Sequence, residues 1–135
     1  MGTWTIYTDG AAKGNPGPAG AGWVVIDSKG KTVLENKKYL GELTNNQAEY
    51  GALLLALEDA VKVGANKLLL CADSELMVRQ LKGEYKVKND GLKPLFQKAV
   101  LTLSKFESYT LKYIPREQNS EADRLANEAI EDHFG

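Results

Sequence analysis

Tyr7-Thr8-Asp9-Gly10-Ala11-Ala12, continuing into Lys13-Gly14-Asn15-Pro16-Gly17-Pro18, is the stretch that decides the fold. The segment leading into it, Thr3-Trp4-Thr5-Ile6-Tyr7-Thr8, is rich in β-branched and aromatic residues and reads as a strand. Asp9 falls where that strand meets a loop rich in glycine and proline. An Asp before Gly is most often a turn residue. The other reading is a metal ligand at the carboxyl end of a central strand, where α/β sheets place their sites. Carboxylates further along the chain decide between the two.

Working outward, Gly20-Ala21-Gly22-Trp23-Val24-Val25-Ile26 reads as a second strand and Lys31 to Leu40 carries a third. Short polar connections make these three an antiparallel meander. Thr44 and Gln47 then have capping-box spacing, which predicts a helix from about Asn46 to Val63, ended by Gly64. That helix is apolar around most of its circumference, so it is expected to be covered on two sides. Glu49 shares a face with Leu53, Leu57 and Ala60. An acid near a helix start is usually a dipole partner, but one on a buried face needs a partner of its own.

Lys67-Leu68-Leu69-Leu70-Cys71-Ala72 is a continuous apolar run that suits a central strand, and it ends at Asp73-Ser74. The preceding helix is the crossover that lays this strand parallel to the first, so Asp9 and Asp73 come to stand at the same ends of adjacent strands. Short helices are expected over Ser74–Leu81 and Leu92–Lys105, and a last strand over Tyr109–Ile114. A loop through Arg116-Glu117-Gln118-Asn119 leads to a final helix over Ser120–Ile130. Ser120 and Asp123 have capping-box spacing, which makes a dipole role the plain reading of Asp123.

Composition narrows the function classes. The chain has 135 residues, enough for one domain with a real core, and residues 1–135 read as that single domain. Hydrophobic residues at 43% and charged residues at 26% give the balance of a soluble globular protein. The formal net charge of −1 provides no global basic field, although a phosphate backbone responds to local patches. The lone Cys71 lies in an apolar run and reads as a core residue. No apolar segment approaches the length of a membrane span and no signal pattern opens the chain, so a cytoplasmic protein without membrane contact is expected.

Four carboxylates, Asp9, Glu49, Asp73 and Asp123, thus fall at two strand ends and two helix starts. Hard divalent cations take oxygen ligands, and Mg²⁺ keeps several waters rather than a closed protein cage. Two ions about 4 Å apart can clamp the attacking and leaving oxygens of a phosphodiester. Without metal the four acids repel one another, which argues against a purely structural role. A nucleophile–histidine arrangement is disfavoured, because Cys71 reads as buried and His133 is near the chain end, where fraying is expected.

The motifs Thr8-Asp9-Gly10 with Gly14-Asn15-Pro16-Gly17, Thr44-Asn45-Asn46-Gln47-Ala48-Glu49, Ala72-Asp73-Ser74 and Asn119-Ser120-Glu121-Ala122-Asp123 together resemble ribonuclease H of type I. The similarity covers essentially the whole chain, in order. Each fragment alone is weak; the four together are specific. The resemblance implies an α/β, ribonuclease H-like fold: a five-stranded mixed sheet, with the antiparallel meander and parallel strands, flanked by helices. It also implies an endonuclease that hydrolyses the RNA strand of an RNA/DNA hybrid, leaving 5′-phosphate and 3′-hydroxyl ends. The implied cofactor is Mg²⁺ as two ions, with Mn²⁺ as an alternative. Asp9, Glu49, Asp73 and Asp123 match the metal-binding catalytic acids, and Glu49 also matches the one that contacts a ribose 2′-OH. Asn45 and Asn46 match the pair that reads the minor groove, while Gly10, Asn15, Thr44 and Ser74 match positions approaching the hybrid backbone. A monomer acting without an obligate protein partner is expected.

The sequence departs from many type I members in two places. The Lys82–Asn89 link is short and lacks tryptophan where others carry a long basic protrusion, so binding is expected to be weaker or to rely on other surfaces; the chain resembles the compact bacterial and archaeal subgroup. The Pro115–Asn119 loop lacks the mobile histidine; Arg116 can serve there electrostatically but not as a proton carrier. Two rivals stand beside this reading. A non-catalytic binding module of the same fold would not need all four acids. A different polynucleotidyl transferase on the same scaffold usually lacks the Asn45-Asn46 pair and the Gly-Asn-Pro-Gly loop.

Overall fold

Polar connections of a few residues let the first three extended segments fold back on one another. β1 (Thr3–Ala12), β2 (Gly17–Ile26) and β3 (Thr32–Leu43) pair antiparallel in sequence order. The computed structural model describes residues 2–135. After the meander, α1 (Asn45–Lys62) crosses over to β4 (Lys67–Ala72), which runs parallel to β1 with Thr3 opposite Lys67 and Thr8 opposite Ala72. β5 (Ser108–Tyr113) adds in parallel to β4, giving the order β3-β2-β1-β4-β5 with β1 at the centre. This is the mixed five-stranded sheet expected from the sequence.

One boundary differs in an informative way. β1 does not end at Thr8 but continues to Ala12, because β2 goes on pairing with it from Asp9↔Gly22 to Ala12↔Ala19. Asp9 therefore sits inside a strand, at the first residue that has lost its parallel partner. The carboxyl end of the parallel ladder is still where the acid stands.

α1 begins as its spacing dictates. The Thr44 hydroxyl accepts from the Gln47 N–H at 3.2 Å, and the Gln47 side chain accepts from the Thr44 N–H at 3.0 Å. Because Asn45 is already helical, Glu49 lies beyond the first turn, and a dipole role does not account for it. The helix packs its inner face on β1 and β2, in one core cluster with Ile6, Trp23, Leu70 and Leu111 of the sheet, while α3 (Lys93–Leu103) covers another side. Leu53 and Leu57 are wholly buried there, each contributing about 1.5–3 kcal/mol of burial free energy. Of the apolar residues between Ala48 and Val61, only Val61 is exposed. The Trp23 indole donates to Asp59 at 2.8 Å and ties helix to sheet.

α4 (Ser120–Phe134) lies against β1, β2 and β3 and departs from expectation at both ends. The predicted Ser120–Asp123 box does not form: Asn119 is the cap residue and makes no side-chain capping bond. At the other end the helix runs past Ile130, and His133 is not frayed. Its ring stacks on Tyr39 of β3, centroids 3.7 Å apart and nearly parallel, with Phe134 edge-on to the same tyrosine. α2 (Glu75–Leu81) is short and capped by Ser74, whose hydroxyl accepts from the Met77 N–H. Cys71 is buried, as read. Among the described residues no helix is long and apolar enough to cross a membrane.

Candidate active site

Strand register and helix position bring three acids to one point. Thr8 and Ala72 are the last paired residues of the parallel ladder, so Asp9 and Asp73 follow it side by side. Residues opposed across an antiparallel pair share a face. Asp9 thus lies on the face of Gly22, the face that α4 covers. Glu49 arrives from α1, guided by its carboxylate, which accepts from the Gly10 N–H at 3.1 Å. One carboxylate oxygen from each of Asp9, Glu49 and Asp73 lies within 4.8 Å of the others. Asp123, on the first turn of α4, lines the same open cleft of about 570 Å³ but stands outside that tight trio.

Glycine makes this approach possible. A Cβ on Gly10 would overlap the Ala48 carbonyl and the Glu49 N–H, so the backbone of α1 can reach the sheet at Glu49 only over a glycine. On the other face, Cβ atoms on Gly20 and Gly22 would overlap the Ala126 and Ala122 carbonyls of α4. Close packing of α4 there brings Asp123 towards Asp9.

The electrostatics reflect crowding. Burial, followed by the charges of Glu49 and Asp73 and then by hydrogen bonding to the Asp123 side chain and its charge, pushes the Asp9 carboxyl up to about 10. Burial and then Asp73 push Glu49 up to about 8, against the opposing pull of the Gly10 N–H and the Arg116 charge. Two cations, Lys13 and Arg116, line the cleft, and Arg116 is 3.4 Å from Asp123 and mostly in solvent. A cluster of oxygen-only donors that suppresses its own ionisation, with no ammonium or guanidinium inserted among the three, has the chemistry of a hard divalent cation site.

The other predicted residues frame this cluster, and several already have structural work. Asn45 and Asn46 occupy the first two positions of α1 and are exposed, with Asn45 lining the cleft. The Asn15 side chain accepts from the Asn45 N–H at 3.0 Å, which pins the Gly-Asn-Pro-Gly loop to the start of α1. Its amide NH₂ is not engaged there. Thr44 and Ser74 accept backbone N–H groups as caps, leaving each hydroxyl hydrogen to be donated outward. Gly10 serves the approach of α1, and Arg116 lines the cleft.

Two residues escaped the sequence reading. Asn119 is 1% exposed, and its amide donates to the Thr8 carbonyl at 2.9 Å and to Asp73 at 3.2 Å. Asn127 donates to the Asp123 carbonyl at 2.9 Å and lines the cleft. The second was findable, since it follows Asp123 at helical i,i+4 spacing. The first was not, because an Asn before a helix reads as a cap.

A family model described as Reverse transcriptase-like matches residues 7–129. Ribonuclease HI of Halobacterium salinarum is 42% identical over 126 residues, covering 93% of this chain and 63% of the relative. The bifunctional protein Rv2228c of Mycobacterium tuberculosis is 45% identical over 127 residues, covering 93% of this chain but 35% of the relative. The chain therefore spans about a third of the length of the first curated relatives it matches. Among solved structures, RNase H1 from Halobacterium salinarum superposes with a TM-score of 0.94 at 41% identity, covering 97% of this chain and 99% of that one. LC11-RNase H1 in complex with an RNA/DNA hybrid gives a TM-score of 0.94 at 46% identity, covering 98% and 100%.

Proposed function

The chain belongs to the ribonuclease H family, type 1, and on that premise we propose that it hydrolyses the RNA strand of RNA/DNA hybrids, leaving 5′-phosphate and 3′-hydroxyl ends. The observation that carries the proposal is the convergence of Asp9, Glu49 and Asp73 within 4.8 Å at the floor of an open cleft. Asp9, Glu49, Asp73 and Asp123 hold the metal in this reading, with Mg²⁺ as two ions and Mn²⁺ as the alternative. Bound there, a pair of divalent ions supplies Lewis-acid activation of water and stabilises charge on the leaving 3′ oxygen.

The chain's own groups do the rest. The four carboxylates match the charge of two divalent ions, so the repulsion among them is relieved when the site fills. Glu49 accepts a hydrogen bond from a ribose 2′-OH next to the cut, which gives the site its means of telling RNA from DNA. Asn45 and Asn46, exposed at the helix start, present amides to the minor groove. The Asn15 NH₂ and the hydroxyl hydrogens of Thr44 and Ser74 remain available to phosphate and sugar oxygens, and the backbone at Gly10 allows close approach. Arg116 supplies a solvent-exposed cation at the cleft. Residues 1–135 act as one catalytic unit and as a monomer in this proposal. The LC11 relative, solved with an RNA/DNA hybrid, supports the substrate class.

End-labelled RNA/DNA, RNA/RNA and DNA/DNA duplexes incubated with Mg²⁺, with Mn²⁺ and with EDTA test the proposal. Cutting is expected only in the RNA strand of the hybrid and only with metal. Unchanged cutting in EDTA, or equal cutting of the DNA duplex, contradicts it.

A further inference from the structure

We infer that Asn119 is a positioning residue for the metal site: its single amide NH₂ clamps the end of β1 to Asp73 and so sets the separation of Asp9 and Asp73. The inference rests on the metal-site reading above and assigns a part of its machinery that the four acids do not supply. Asn119 Nδ2 donates at once to the Thr8 carbonyl, 2.9 Å away, and to Asp73 Oδ2, 3.2 Å away. Thr8 is the residue before Asp9, and it is also the last residue of β1 with a parallel partner on β4. Beyond it the two strands are no longer held by a ladder, yet the acids that must meet at a fixed distance sit immediately beyond. The amide closes this gap from a third element, the turn that precedes α4.

The orientation of the amide is dictated by its partners. Both are acceptors, so only the NH₂ end can face them; a flip would set an oxygen against two oxygens. The consequence is that Asn119 Oδ1 is left buried without a partner, one of two such side-chain atoms among the described residues. A buried unpaired acceptor is destabilising. A residue retained only for packing would do better as an aliphatic side chain, whereas one retained for its donors must accept the orphan oxygen. Asn119 is 1% exposed, so it reaches no substrate and acts only through Asp73 and the end of β1. Hydrogen bonds to a ligating carboxylate orient it and tune its affinity.

Titration calorimetry with Mn²⁺ on the whole chain tests the inference, using the parent, Asn119→Ala and the closer-volume Asn119→Leu at a temperature below all three melts. Melting in EDTA and the steady-state constants on the hybrid complete the comparison. Mn²⁺ binding is expected to weaken about 10-fold or more in both variants. KM for the hybrid should stay within about two-fold while turnover at limiting metal falls; rising metal should restore turnover in part. Asn119→Leu should melt at or above Asn119→Ala, since it fills the space and removes the orphan oxygen. Unchanged Mn²⁺ affinity in a folded variant overturns the inference and leaves the metal-site reading intact. Absence of Mn²⁺ binding by the parent overturns both. Failure of both variants to fold assigns Asn119 to the core and also overturns it.

Discussion

Asp9 and Glu49 show what the site costs the protein that carries it. Their carboxyls are pushed up to about 10 and about 8 from ordinary values of 3.8 and 4.5, first by burial and then by neighbouring acids. A raised acid pKa means that the folded, metal-free protein holds protons that the unfolded chain has already released. The unfolded state then binds fewer protons than the folded one, so stability falls as pH rises between the unfolded and the folded values. In EDTA the unfolding free energy should therefore decrease from about pH 5 to about pH 8, by about 4 kcal/mol for a single group that stays protonated across that window. Urea denaturation at several pH values measures it, and a flat or rising profile would contradict the crowding described. Arg116, proposed as a site residue, and His133, held in an aromatic stack, carry opposite expectations. Arg116→Ala should slow turnover about 3- to 30-fold, the loss of a charge-assisted contact of about 1–2 kcal/mol. His133 lies ten residues beyond Asp123 on α4, about 15 Å along the axis. His133→Ala should lower stability by about 0.5–1.5 kcal/mol through loss of the Tyr39 stack, with turnover nearly intact. A His133→Ala variant more damaging to turnover than Arg116→Ala contradicts this assignment.

Elements were read from the sequence where they carry a local signal. Thr44 and Gln47 announce α1 by spacing alone, and the box forms as read. The apolar run Lys67–Ala72 announces a covered strand, and β4 occupies those residues. What stayed illegible depends on contacts distant in sequence. Nothing near Ala12 says that β1 outlasts its parallel partner, because only the register with β2 decides it. The Ser120–Asp123 spacing matches that at α1, yet Asn119 takes the cap position, with its side chain drawn to Thr8 and Asp73. The last turn of α4 is tied to β3 by the stacking of His133 on Tyr39, a contact distant in sequence. Gly20 and Gly22 fall in the segment read as a second strand, and their purpose is visible only once α4 lies on them. Gly22→Ala should push α4 away from β2, with a loss of about 1–3 kcal/mol and of most activity, since Asp123 moves with the helix. Gly30→Ala, with open space around its Cβ but a φ of +84°, serves as a comparison that strains a turn without overlapping any neighbouring element. Equal activity in the two variants would contradict the role given to the helix–sheet contact.

At the scale of the whole molecule, two helices reach a central sheet from opposite sides and carry acids to one end of it. The parallel β1–β4 ladder supplies Asp9 and Asp73, α1 supplies Glu49, and α4 brings Asp123 to the edge of the cluster. Four acids in family-like order made this end legible from sequence. The amide that joins β1 to Asp73 was not legible, because its role exists only when three separate elements have come together. The central claim is that these acids form a site whose repulsion is relieved by divalent metal. The most direct measurement is thermal melting at neutral pH of the parent, Asp9→Asn and Asp73→Asn, in EDTA and then in Mg²⁺. Each substitution removes an ionisable carboxyl from the crowded cluster and keeps the shape. In EDTA both variants are expected to melt above the parent, by about 1–2 kcal/mol of stability. In Mg²⁺ the parent should gain more than either variant, because a ligand that binds only the folded state stabilises it by mass action. If both variants melt below the parent in EDTA and Mg²⁺ shifts all three alike, the acids are structural partners and the account is contradicted.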